Sequence, residues 1–174
     1  MEILIARRAV TGAFAVALLA MQPGALSADG LEYQVKAAFL FNFLKFVEWP
    51  PAPAGAPWVI GVLGHDPFGE MLDETVRGKI VSGRSIEVRR YSKLSDAKDC
   101  SILFIGRGEY LRTGIPAMQP GLLTVGEAPG FLKSGGAISF YLEDNRVRFE
   151  IRPEAARAAG LRMSAQLLKL GRAL

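Results

Sequence analysis

Five short features of this 174-residue chain bear on chemistry: His65, Cys100 and the glycine-bearing turns Gly64-His65-Asp66, Gly106-Arg107 and Gly126-Glu127. The single histidine excludes a His-rich metal site. A Ser-His-Asp hydrolase would have to use it, yet no GxSxG elbow is present. No Walker-type phosphate loop and no GxGxxG occur either. Cys100 and His65 would make a nucleophile pair, but Cys100 heads the apolar run CSILFIG, where a thiol is inert. As the lone cysteine it makes no bridge within the chain, and a small buried apolar residue is the favoured reading. These residues therefore predict no enzyme, no cofactor and no metal. The three turns are more informative. If the strands before them run parallel, the turns gather at the carboxyl edge of the sheet, where ligands tend to bind. His65, Asp66, Arg107 and Glu127 would then converge on a small-metabolite pocket. The alternative is that these glycines only permit tight strand-to-helix turns.

The segments around these turns support a parallel arrangement. WVIGVLG, SILFI and LLTV are short continuous apolar runs and read as buried strands, while IEVRRY alternates. Asp66 and Pro67 predict a helix from 67 to about 76. Residues 92–99 suit a short helix, and 108–118 a helix weakened by Gly114 and Pro116. AISFYL and VRFEI, joined by EDNR, predict a hairpin. On its second strand Val147, Phe149 and Ile151 face inward, and Arg146, Arg148 and Glu150 face out. A charged outer row is a solvated face, blunts an exposed sheet edge, or steers a partner. Pro153 starts a helix that Gly160 breaks, and Ser164 caps a last one, AQLLKLGRAL. Apolar runs separated by helices imply βαβ units. The expected fold is α/β: a three-layer α/β/α sandwich with a mixed, mostly parallel sheet and a C-terminal β-hairpin.

The stretch KAAFLFNFLKFVEWP, residues 36–50, poses a separate question. Lys36, Asn42, Lys45 and Glu48 leave no apolar window of ~20 residues, so it is not a membrane span. At helical spacing Val35, Ala37, Phe39, Leu40, Phe43, Leu44, Phe46 and Val47 fill a broad inward arc, and Gln34, Ala38, Asn42 and Lys45 lie opposite. Phe41 falls on the polar side, as an ordinary exposed aromatic or a contact for a partner. The prolines from Pro50 onward end the helix by Trp49. Upstream, Arg7 and Arg8 precede an apolar run, a Pro23-Gly24 break, and small residues at Ala25 and Ser27. That layout predicts a signal peptide over 1–28, cleaved after Ser27 or Ala28, and a single domain over 29–174. The run is short for an uncleaved anchor. Losing Glu2, Arg7 and Arg8 takes 21 basic and 17 acidic residues to 19 and 16, a net charge of +3. Without a Lys/Arg run, this mild excess points away from nucleic acid.

The order of EYQVKAAFLFNFLKFVEWP, VIGVLGHDPFG, CSILFIG, LLTVGEAPGF, GGAISFYLEDNRVRFEI and AGLRMSAQLLKLGR, spanning 32–172, resembles the YfiR-like family of small periplasmic proteins. The resemblance implies a non-enzymatic periplasmic repressor. It would bind the periplasmic sensor domain of an inner-membrane diguanylate cyclase, lowering cyclic di-GMP and with it exopolysaccharide and biofilm. An outer-membrane lipoprotein that sequesters the repressor and a homodimer are further expected partners. Contacts are expected at Phe41, Arg148 and Glu150. Two departures stand out. Some relatives carry redox-responsive disulfides, which a chain with Cys100 alone does not form internally. Relatives often place Asn after the FEI strand, where this chain has Arg152-Pro153, so the cap of the next helix differs.

Overall fold

A computed structural model describes residues 28–117 and 119–174; the expected signal peptide lies outside them, apart from Ala28. In chain order the elements are α1 (Ala28–Phe46), β1 (Val47–Glu48), β2 (Trp58–Leu63), α2 (Glu70–Val76), β3 (Ile80–Val81), β4 (Arg84–Tyr91), β5 (Ile102–Ile105), α3 (Arg107–Thr113), β6 (Leu123–Gly126), β7 (Ile138–Glu143), β8 (Arg146–Ile151), α4 (Pro153–Ala158), β9 (Arg162–Met163), α5 (Ala165–Leu170) and β10 (Arg172–Ala173). Eight strands form one sheet in the order β10-β8-β7-β6-β5-β2-β4-β3. Strands β4, β2, β5, β6 and β7 are mutually parallel, and β8 runs antiparallel to β7. The fold is the mixed, mostly parallel α/β sheet that the alternation of runs and helices predicts.

The side chains on the two sheet faces explain the layers. Ile60, Val62, Phe104, Val125 and Phe140 pack with Leu40 and Phe43 of α1, Leu72 of α2, Ala156 of α4 and Leu167 of α5. The alternate residues, Val59, Leu63, Leu103 and Ile105, pack under Phe131 and Leu132 of the β6–β7 loop, with Leu94 and Tyr110 beside them. One helical layer is thick and the other thin. In place of the helix expected over 92–99 there is a single 3-10 turn, Leu94–Asp96. Phe131 supplies the missing bulk. A Cβ on Gly126 or on Gly136 would lie 2.5 or 2.2 Å from its ring. The two glycines thus form the slot that this phenylalanine fills.

Helix ends correct several expected boundaries. α2 starts at Glu70 rather than Pro67, because Asp66 Oδ1 accepts from the Phe68 N–H at 2.8 Å and closes a local turn first. α3 stops at Thr113, where Gly114 turns the chain with φ 72°. Ser164 caps α5 as expected, accepting from the Leu167 N–H at 3.1 Å, but the helix ends at Leu170 rather than running to Leu174, because Gly171 is extended and Arg172–Ala173 pair as β10. α1 ends at Phe46; Trp49 Nε1 donates to the Leu44 carbonyl and the Ser164 N–H to the Phe46 carbonyl, meeting two orphan acceptors. The β7–β8 hairpin turns on Asp144 and Asn145, both at positive φ, which suits the twist of a two-residue connection. This hairpin does not close the sheet: β10 pairs in parallel with β8, Arg172 opposite Glu150 and Ala173 opposite Ile151.

Candidate functional site at the carboxyl edge

α1 buries a charge that its apolar content hides. Lys36, Leu40, Phe43, Leu44 and Val47 follow helical spacing and face the sheet, and Lys36 is only 3% exposed. Val35, expected on the inward arc, is 44% exposed instead. The Lys36 ammonium donates to Glu127 at 2.6 Å and pairs with Glu32 one turn earlier. Tyr33 Oη donates to Glu127 at 3.1 Å, and Lys36 Nζ lies 4.4 Å from the Tyr33 ring centre. Burial, then the Glu127 charge, drives the Tyr33 pKa upward, so the phenol stays a donor. Glu127 directly follows β6, so these bonds fasten the first turns of α1 to the carboxyl edge of the sheet.

Beside this cluster opens a cleft of about 520 Å³. Its walls are Lys36 and Glu127, Arg107 at the start of α3, the 128–133 loop, Ser139 and Tyr141 of β7, and Leu174. The volume suits a small ligand, as does a mainly apolar wall with a few polar groups. Arg107 and Lys133 are exposed and make no ion pair among the described residues.

The four residues expected at the strand ends therefore divide. Arg107 and Glu127 line one cleft. His65 is exposed and lies outside its lining. Asp66 is bonded at 2.8 Å to Arg90 of β4, which also grips Asp73 and the Gly69 carbonyl. The carboxyl end of β2 is filled: a Cβ on Gly64 would stand 2.5 Å from Oε2 of Glu109. The opening therefore sits further along the sheet, at β6 and β7. Glu32, Tyr33 and Lys36 were absent from the sequence-derived set. A lysine in register with Leu40, Phe43 and Val47, with a glutamate four residues before it, was the available signal. Among the described residues no cluster of three or more His, Cys, Asp or Glu side chains is placed to hold a metal. No helix among them is long and apolar enough to cross a membrane.

Residues 33–172 match the sequence profile of the YfiR/HmsC-like family. The chain belongs to that family. It matches no curated protein. The expected contact residues lie on two separate surfaces. Phe41 is half-buried on α1, with the ammoniums of Lys45 and Lys79 at 4.6 and 4.4 Å from its ring centre. Arg148 and Glu150 alternate with the buried Phe149 and Ile151 on the outer side of β8, and Glu150 also lines the cleft. Arg148 is 3.7 Å from Glu143, and Glu150 pairs with Arg172 of β10. Arg152, in the position where relatives often have Asn, makes no side-chain cap to α4; its Nη1 donates to the Leu132 carbonyl at 2.7 Å. Cys100 is buried, and burial raises its thiol pKa.

Proposed function

We propose that this YfiR-like protein is a periplasmic, non-enzymatic repressor. It binds the periplasmic sensor domain of an inner-membrane diguanylate cyclase and holds the enzyme inactive, lowering cyclic di-GMP and biofilm output. The observation that carries this reading is the family match across 33–172, in a family that is regulatory and non-catalytic. A repressor of this kind works by binding the inactive state of its target more tightly than the active one. Phe41, Arg148 and Glu150 are the proposed contacts; an outer-membrane lipoprotein would compete for the same protein. The test is retention of solubilised inner-membrane proteins on tagged protein purified from the periplasm. Retention of a protein with a periplasmic sensor and a cytoplasmic diguanylate cyclase domain, whose activity falls on adding the purified chain, supports the reading. No loss of cyclase activity at saturating protein overturns it.

The cleft favours a second role, compatible with the first, as a small-metabolite site using Arg107 and Glu127. A ligand that binds only the folded state raises Tm. A metabolite screen should then yield a shift that Arg107→Ala abolishes; a shift that survives this change places the ligand elsewhere.

A further inference from the structure

The outer side of α1 differs from that of an ordinary surface helix. Along one side of it, at positions three and four apart, Leu31, Gln34, Val35, Ala38 and Lys45 are exposed, with Phe41 and Asn42 half-buried among them. No charge occurs along this stripe until Lys45, although a surface helix normally places its charged residues there. Leu31 is 53% exposed and Val35 44%. Ala38 at the centre is exposed and short, so a second helix axis can approach closely. At the far end the ammoniums of Lys45 and Lys79 each contact the ring of Phe41, and neither makes an ion pair among the described residues.

We infer that this stripe seats a helix of the cyclase's periplasmic domain. The apolar side of that helix would lie along Leu31, Val35 and Ala38, and a carboxylate near one end would meet Lys45 and Lys79. The inference rests on the proposed repressor role and specifies its docking chemistry. Apolar anchors at i, i+4 and i+7 are how a helix is read by a partner face. Two unpaired ammoniums on one aromatic ring select for an acidic group and fix the register of the helix. The hairpin offers a weaker seat for such a helix, because its charges are already matched in the pairs Glu143–Arg148 and Glu150–Arg172. It also lies on the other side of the sheet, so the two surfaces can be tested separately.

The experiment is a titration of full-length cyclase in lipid nanodiscs with the wild-type protein and with Val35→Arg, Lys45→Glu/Lys79→Glu and Lys45→Arg/Lys79→Arg variants. The altered side chains are exposed or stand at the surface, and Tm checks that the fold is kept. The first two variants should weaken binding by about tenfold or more, as expected when a contact worth above ~1.4 kcal/mol is lost. The arginine pair should bind like wild type. Lysine in place of one acidic residue on the cyclase helix should restore binding to the Lys45→Glu/Lys79→Glu protein. If wild type binds and the first two variants bind within about twofold of it, the inference falls while the repressor role stands. If wild type itself does not bind, the repressor role falls first. Wild-type binding to phosphatidylglycerol vesicles that Lys45→Glu/Lys79→Glu abolishes, with cyclase binding intact, also overturns the inference and assigns the stripe to a lipid surface.

Discussion

Lys36 and Glu127 stabilise this protein as a pair and weaken it singly. Without Glu127, Lys36 keeps only Glu32, and without Lys36, Glu127 keeps only the Tyr33 hydroxyl, so each single change costs stability, whereas replacing both with apolar groups is often neutral. Glu127→Gln should lower unfolding free energy by about 1–3 kcal/mol in urea denaturation, and Lys36→Met should also destabilise. The double change Lys36→Met/Glu127→Leu should recover part of the loss, with a coupling of about 0.5–3 kcal/mol in a double-mutant cycle. Strict additivity would mean that the two side chains do not act together. Gly61 is a second sensitive position. A Cβ there would lie 2.6 Å from Cys100 Sγ and 2.9 Å from the Tyr91 ring, so Gly61→Ala should cost about 1–3 kcal/mol by overpacking. Cys100 itself, buried and with its thiol pKa raised, should resist thiol reagents at pH 8 until the protein is unfolded. The sequence carried this last point openly, since Cys100 heads an apolar run. It hid the Lys36 site, because lysine in an aromatic-rich helix reads as an interruption until the sheet shows which side it faces.

At the level of elements, what was legible followed local chemistry, and what was not followed contacts between distant residues. The Asp144-Asn145 turn, the Ser164 cap and the buried strands depend on neighbouring residues. The late start of α2 follows the local Asp66–Phe68 turn, but what ties that turn to the helix is Arg90, 24 residues from Asp66 and 17 from Asp73, which bonds both. Arg90 holds the Asp73 pKa below its usual value of 3.8, chiefly by hydrogen bonding. A carboxylate with a depressed folded-state pKa adds stability above its unfolded value and loses it as pH falls through the folded one. Asp73→Asn should therefore flatten the loss of stability below about pH 4, modestly, because the side chain is partly exposed. An unchanged acid limb in thermal melts would count against this clamp. Likewise β10 was not legible, because two residues carry no strand signal. Its pairing rests on the Leu174 N–H donating to the Ile151 carbonyl at 2.9 Å and on the Glu150–Arg172 pair. Arg172→Ala should speed amide exchange at Leu174 while leaving β6 protected.

At the scale of the whole molecule, the sheet separates two surfaces that single substitutions can address. The α1 stripe lies on one side and the β7–β8 outer row on the other, and the cleft at the carboxyl edge takes Ser139, Tyr141 and Glu150 of that row into its wall. Glu150→Lys reverses a charge on the outer row and also loses the Arg172 pair, so a weakened repressor of that kind is ambiguous. Arg148→Glu, whose partner Glu143 is itself half exposed, is the cleaner probe. It should lower the rate of cyclase association, with a marked dependence on salt, and leave Tm unchanged. Repression and kinetics equal to wild type would remove Arg148 from the contact surface. The layers were legible in the order of apolar runs. The position of the cleft was not, because it depends on Glu109 filling the carboxyl end of β2.

Glu32 in the second turn of α1 and Leu174 line the same cleft, so the start of α1 and the last described residue lie at one edge of the sheet. The Pro/Ala loop 50–57 leads into the start of β2 at the opposite edge. Circular permutation is tolerated where termini are close and the new break falls in an exposed loop. A permuted chain, joined across the cleft by a short linker and opened between Ala52 and Pro53, should therefore fold to the same sheet. Its new ends would stand on the far edge, free to carry a fluorescent reporter.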